Sequence, residues 1–448
     1  MKFNKWTLGL AAVGAVSLAS AAKADEKMSA VQTALSSTTI SGYVDTSLQW
    51  NPGTGNAVSA PVAFQGTHKT DGFNLNVVQL SLAKPLDESE WASGYRVDLW
   101  FGPDANALNS QSINSDGAGD LAIRQAYVAL RTPVGNGIDW KVGVFDTIIG
   151  YESLESGNNP NMTRSYGFTI EPTTHTGVLG TYRINDYFSV AAGMANTFGP
   201  SINERAHGPN AGDPNAPSTS ESYKTYMGSI ALTAPDSWGW AAGSTLYAGV
   251  INGFDSSVVD AQTHYYGGVT LATPVTGLKV GGSLDFAQAY NFDNAGDTVW
   301  TAALYGSYQA TEKLSFHGRA EYLKGEVPSE LGDDVELFAI TGTVQYDLWE
   351  NVISRLEVRW DRCMDSPVGT DIFGGRILTG GGDYETDFEF EEASAAGVNV
   401  DPQGFEDYHE NDALIGSHFT NHLGIGGTPT SGESNDSLLV ALQFIYKF

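Results

Sequence analysis

Between Ile148 and Thr173 the chain carries four charged side chains, Glu152, Glu155, Arg164 and Glu171. Five bases elsewhere, Arg96, Lys141, Arg319, Arg355 and Arg359, sit at positions that alternate with apolar residues. Neither set reads as a reacting group. The chain contains no G-x-S-x-G, no H-E-x-x-H, no P-loop and no C-x-x-C. Acids on one surface that face bases on another act by their field: the gap between them carries a transverse potential. A ring of such charges at a narrowing sorts solutes by charge. The nine residues are therefore candidates for a pore constriction. The plainer alternative is that they are solvated residues on a wet face.

The elements that must hold them are strands. "SGYRVDLWF" puts Tyr95, Val97, Leu99 and Phe101 on one face and Arg96 and Asp98 on the other. "KLSFHGRAEYL" sets Leu314, Phe316, Ala320 and Tyr322 against Ser315, His317, Arg319 and Glu321. A period of two is the strand signature, because successive side chains point to opposite faces. About sixteen such stretches run from end to end. The connections alternate as well. "KPLDESEWA", "TPVGNG", "RIND", "TPVTG", "ATEK" and "DLWE" are short and rich in turn residues. Residues 51–72, 102–119, 148–173, 198–222, 252–263 and 362–436 are longer.

Composition narrows the class. Hydrophobic residues make up 41% of the 448, and only 17% are charged, below the ~25% usual for globular proteins. Lys2 and Lys5, the apolar run "WTLGLAAVGAVSLASAA" and the small residues of "AKA" form a secretory signal peptide over residues 1–24. Cleavage after Ala24 removes Lys2, Lys5 and Lys23 and takes the net charge from −29 to −32. Such a surface disfavours nucleic acid as a partner. Cys363 is alone, so no intrachain disulfide forms. No other apolar run reaches the ~20 residues of a spanning helix, so a membrane crossing has to use strands.

Only helices and closed barrels pair all their backbone groups inside hydrocarbon. Alternating strands with short turns on one side and long loops on the other imply a transmembrane antiparallel up-and-down β-barrel over residues 38–448. Residues 25–37 are a short periplasmic lead-in. Trp50, Tyr95, Tyr182, Tyr226, Trp240 and Trp360 lie near strand ends, where interfacial girdles form. About sixteen strands leave a lumen, whereas eight are filled by side chains.

The chain ends in "SLLVALQFIYKF", apolar on one face to the last residue. Phe444, Tyr446 and Phe448 resemble the C-terminal signal of bacterial outer-membrane barrels that their assembly machinery reads. "KVGVFDTIIGYE" and "NPNMTRSYGFTIEPTTHTGVLGTYRI" resemble the beta-barrel porin-2 family of outer-membrane porins. That resemblance implies a passive pore in the bacterial outer membrane, without an assigned substrate or site residues. Outer-membrane lipid and lipopolysaccharide are the expected surroundings. A homotrimer is expected from size alone, and the sequence marks no trimer seam.

General porins fold their third outer loop inward, and 148–173 has that ordinal place. The net negative balance favours cations by field focusing. The loop 362–436 is acidic, with "DYETDFEFEE" and "GFEDYHENDA". Oxygen-rich clusters suit Ca²⁺ or Mg²⁺, but the spacing fits no EF-hand, and a solvated loop is the simpler reading. No cofactor is expected. The alternative function is a plugged structural or adhesive barrel with acidic surface loops.

Overall fold

The computed structural model describes residues 38–52, 62–66, 69–111, 119–206, 222–254, 261–290, 296–326, 335–365 and 436–448. The signal peptide, the lead-in and all but the ends of the acidic stretch 362–436 lie outside these residues, as does the divalent-cation reading.

Sixteen strands form. They are β1 (Thr39–Trp50), β2 (Gly72–Lys84), β3 (Ser93–Phe101), β4 (Leu121–Thr132), β5 (Ile138–Asp146), β6 (Thr174–Arg183), β7 (Phe188–Ala195) and β8 (Thr225–Thr233). The second half comprises β9 (Thr245–Phe254), β10 (Ala261–Ala272), β11 (Leu278–Tyr290), β12 (Gly296–Gln309), β13 (Leu314–Glu326), β14 (Val335–Tyr346), β15 (Val352–Asp365) and β16 (Asp436–Lys447). Each pairs antiparallel with its sequence neighbours, and β1 closes on β16. Two short helices stand in the connections, α1 (Pro103–Leu108) and α2 (Tyr166–Ile170).

Side-chain parity explains the closure. In β14, Leu337, Ala339, Thr341 and Thr343 are buried, and Phe338, Ile340 and Val344 point outward. In β16, Gln443 and Ile445 point in, whereas Phe444 and Tyr446 point out. Phe448 pairs its backbone with Gly42, so the final residue helps to seal the seam. Large apolar side chains also cover the outside, with Leu304 70% exposed. Water would penalise that surface, and lipid does not.

Three bulges break the parity. The register skips Asn76 in β2, Arg124 in β4 and Met364 in β15. A bulge places an extra residue against one partner and re-aims the side chains around it. In β4 the outward series is therefore Leu121, Ile123, then Ala126, Val128 and Leu130, and both Arg124 and Gln125 are buried inside.

The interior is a packed core rather than an empty cylinder. Its centre is the connection between β5 and β6. Ile148, Ile149 and Tyr151 join Tyr247, Ile251, Tyr266 and Tyr305 in one cluster. Tyr166 and Ile170 pack with Leu323, Leu337 and Cys363 in a second. Leu154 and Phe168 meet Trp100, Leu108 and Ile445 in a third, and Met162 meets Leu439 and Ala441.

Candidate functional site

The loop that the sequence marked as charged over 148–173 spans residues 147–173 between β5 and β6 and turns into the barrel. Thr147 N–H donates to the Thr173 carbonyl (2.9 Å) and closes its neck. Gly150 holds φ +112, where a β-carbon would meet the Glu171 carboxylate at 2.4 Å. Tyr151 then stacks on Tyr305 with ring centroids 4.0 Å apart. A 3-10 turn, Ser156–Asn158, follows deep in the lumen, where Gly157 faces Lys447 near the periplasmic end of β16. The chain climbs back through α2, whose N-terminal turn Ser165 caps by accepting from the Phe168 N–H (3.1 Å).

The wall grips this loop through charged side chains. Arg319 donates to Glu152 (2.7 Å), to the Thr163 carbonyl (2.7 Å) and to the Arg164 carbonyl (3.0 Å). Arg359 donates to the Arg164 carbonyl (2.8 Å) and pairs with Asp361 and Glu321. Arg355 donates to the carbonyls of Ser156 (3.1 Å) and Asn159 (2.5 Å). Glu357 accepts from the N–H groups of Met162 (2.5 Å) and Thr163 (2.9 Å). Glu321 accepts from the Tyr166 N–H (2.6 Å), and Asp361 from the Tyr166 hydroxyl (2.6 Å). Buried charges of this kind are tolerated where every donor and acceptor finds a partner.

The opposite side of the loop meets β2 to β5. Glu155 accepts from Arg124 (2.8 Å), Arg96 (3.0 Å) and Asn158 (2.6 Å). Burial would raise its carboxyl, but the charges of Arg124 and Arg96 outweigh this and bring it down to about 2. Arg124 also donates to Asp146 (2.5 Å) and to Gln79 (3.0 Å). Glu171 goes the other way. Burial raises its carboxyl, and the neighbouring Asp285 raises it further. Arg164 is buried between Phe64 and Phe168, its guanidinium 5.7 and 5.3 Å from their rings, and burial lowers its pKa.

An open cavity of about 650 Å³ remains between this loop and the β3–β6 wall. It runs from the turn at Lys84–Glu88 up to Glu171 and Thr173. Arg96, Arg124, Tyr127, Arg131 and Lys141 line the wall, and Glu152, Glu155 and Phe168 line the loop side.

Of the nine residues marked in the sequence, the structure joins Glu155 to Arg96 and Glu152 to Arg319. Arg319, Arg355 and Arg359 are in direct contact with the loop rather than across a gap from it. Lys141 faces the cavity over the Tyr127 ring (5.0 Å), and Glu171 lies beside Asp285. The sequence reading missed Arg124, Asp146, Glu321, Glu357 and Asp361. The first was hidden by the bulge. The last three were legible as inward positions of β13 and β15 but were not singled out. Phe444 and Tyr446 lie on β16 and Phe448 directly follows it, with Phe444 against Trp349 at 6.2 Å.

A closed sixteen-stranded barrel with an apolar outside and an infolded third loop is the architecture of outer-membrane porins. Solved structures of similar fold cover 92% of this chain. They include an anion-selective porin from Comamonas acidovorans (10% identity, 99% of that chain, TM-score 0.51). The outer-membrane channel DcaP of Acinetobacter baumannii is another (9%, 97%, 0.52), as is the trimer form of OmpT from Vibrio cholerae (12%, 99%, 0.50). No curated protein matched the chain in sequence. The chain belongs to the family described as Putative beta-barrel porin-2, OmpL-like, whose model matches residues 37–380. It is a protein of the bacterial outer membrane.

Proposed function

We propose that the protein is a passive diffusion pore for small hydrophilic solutes and ions, with a mild preference for cations. The observation that carries this reading is the cavity beside loop 147–173, whose lining carries charged groups of both signs among its apolar side chains. Seven acids and five bases line it. The full chain carries −29, which adds a cation-attracting field. The preference is mild because most of these charges are paired, and because burial and the neighbouring Asp285 push the Glu171 carboxyl upward and so weaken its charge. By analogy with the trimer form of the Vibrio cholerae protein, the working unit is a homotrimer.

One observation favours a second reading, a plugged structural barrel: the loop fills most of the interior and binds the wall through buried ion pairs. Proteoliposome swelling separates the two. A pore admits small sugars and excludes larger ones with a sharp size limit, and a plugged barrel admits none. Chemical crosslinking in mild detergent tests the trimer, which yields a ladder ending at three copies.

A further inference from the structure

Lys141 projects from β5 into the cavity, and its ammonium lies 5.0 Å from the centre of the Tyr127 ring. Among the described residues it makes no ion pair and no hydrogen bond. The ring face orients the cation without neutralising it. The charged groups near it are matched. Arg96 pairs with Asp98 (2.7 Å) and Glu155 (3.0 Å), and Arg124 with Glu155 (2.8 Å) and Asp146 (2.5 Å). Several of these matched groups still present surface: the side chains of Arg96, Asp146 and Glu155 are 34%, 27% and 22% exposed. Around Lys141 the cavity wall thus offers an uncompensated cation, a second base with a free edge, and two partly open acids.

A simple anion is drawn to Lys141 but repelled by Asp146 and Glu155. A simple cation meets the reverse. A molecule with a carboxylate at one end and an ammonium at the other satisfies both sides and brings no net charge into the site. The cavity volume of about 650 Å³ lies within the range of small-ligand sites. We propose that this cavity binds small zwitterionic solutes such as short peptides, with the carboxylate on Lys141 beside Arg96 and the ammonium toward Asp146 and Glu155. The inference rests on the pore reading and names the solute class for it.

The test uses the full-length protein in a planar bilayer at fixed ionic strength. Three solutes of one skeleton are added in turn: glycylglycine, N-acetylglycine, which lacks the ammonium, and glycylglycinamide, which lacks the carboxylate. Glycylglycine is expected to interrupt the ion current at concentrations about tenfold below those of either analogue, the factor that one well-made charged contact supplies. Lys141→Met removes the advantage and Lys141→Arg keeps it, with heat-modifiable gel mobility reporting that each variant is folded. Equal potency of the three solutes on the unaltered protein overturns the proposal, and needs no variant. So does an unchanged advantage in folded Lys141→Met. In both cases the current itself leaves the pore reading standing. A silent bilayer overturns both.

Discussion

Glu155 and Glu171 show how burial alone fails to predict a carboxyl's charge. Both lie on the infolded loop, but Arg96 and Arg124 face the first and Asp285 faces the second. Glu155 is held ionised, so Glu155→Gln is expected to leave Arg96 and Arg124 in excess and to move the reversal potential in a KCl gradient toward anions. A carboxyl depressed from 4.5 to about 2 contributes stability above 4.5 that is lost as pH falls toward 2. The share of the cation preference that Glu155 supplies should persist through the ordinary carboxylate range and fade near pH 2, whereas the share from the net charge fades as the other carboxylates protonate. Glu171 has the opposite sign. Its folded-state pKa is raised, so its effect on stability is favourable at low pH and is lost as pH rises past 4.5. Glu171→Gln should therefore raise the thermal unfolding temperature at pH 8 and change it little at pH 4. Arg319 is fully buried against Glu152 and Glu321, and Arg319→Met leaves Glu152 buried without its cation, while Glu321 keeps Arg359. We expect a loss of about 3–5 kcal/mol, measured by denaturant unfolding in detergent. A loss under about 1 kcal/mol would mean that the network is water-filled.

At the scale of the element, the loop between β5 and β6 is the molecule's core, and its neck turns at Gly150. An alanine there would meet both a positive φ and the Glu171 carboxylate. Gly150→Ala is expected to cost about 1–3 kcal/mol and to make single-channel currents noisier, since the loop then samples positions off the wall. The strands were legible because lipid outside and polar groups inside impose a strict period of two, visible in Phe316, Ala320 and Tyr322 against His317, Arg319 and Glu321. The loop's place was legible from its order and its charges. Arg124 was not, because a bulge re-aims it without a local signal such as glycine or proline. The partners of Arg355 and Arg359 were not legible either. They bind backbone carbonyls about 195 residues distant in sequence, and any loop sequence offers carbonyls.

At the scale of the whole molecule, the barrel is asymmetric. The β9–β16 wall is packed against the loop by tyrosines and buried ion pairs, whereas the β3–β6 wall touches it through Arg96 and Arg124 on Glu155 and leaves the cavity beside that contact. The outer face is apolar, and the seam between β1 and β16 is continuous from Tyr43↔Lys447 to Trp50↔Val440. On the pore reading, passage uses the side of the lumen beside β3–β6. The most direct measurement is the conductance of the purified full-length protein in a planar KCl bilayer. Discrete, stable steps with a reversal potential shifted modestly to the cation side are the predicted result. A membrane that stays silent at high protein load, with the barrel folded by gel mobility, would contradict an open path beside the loop.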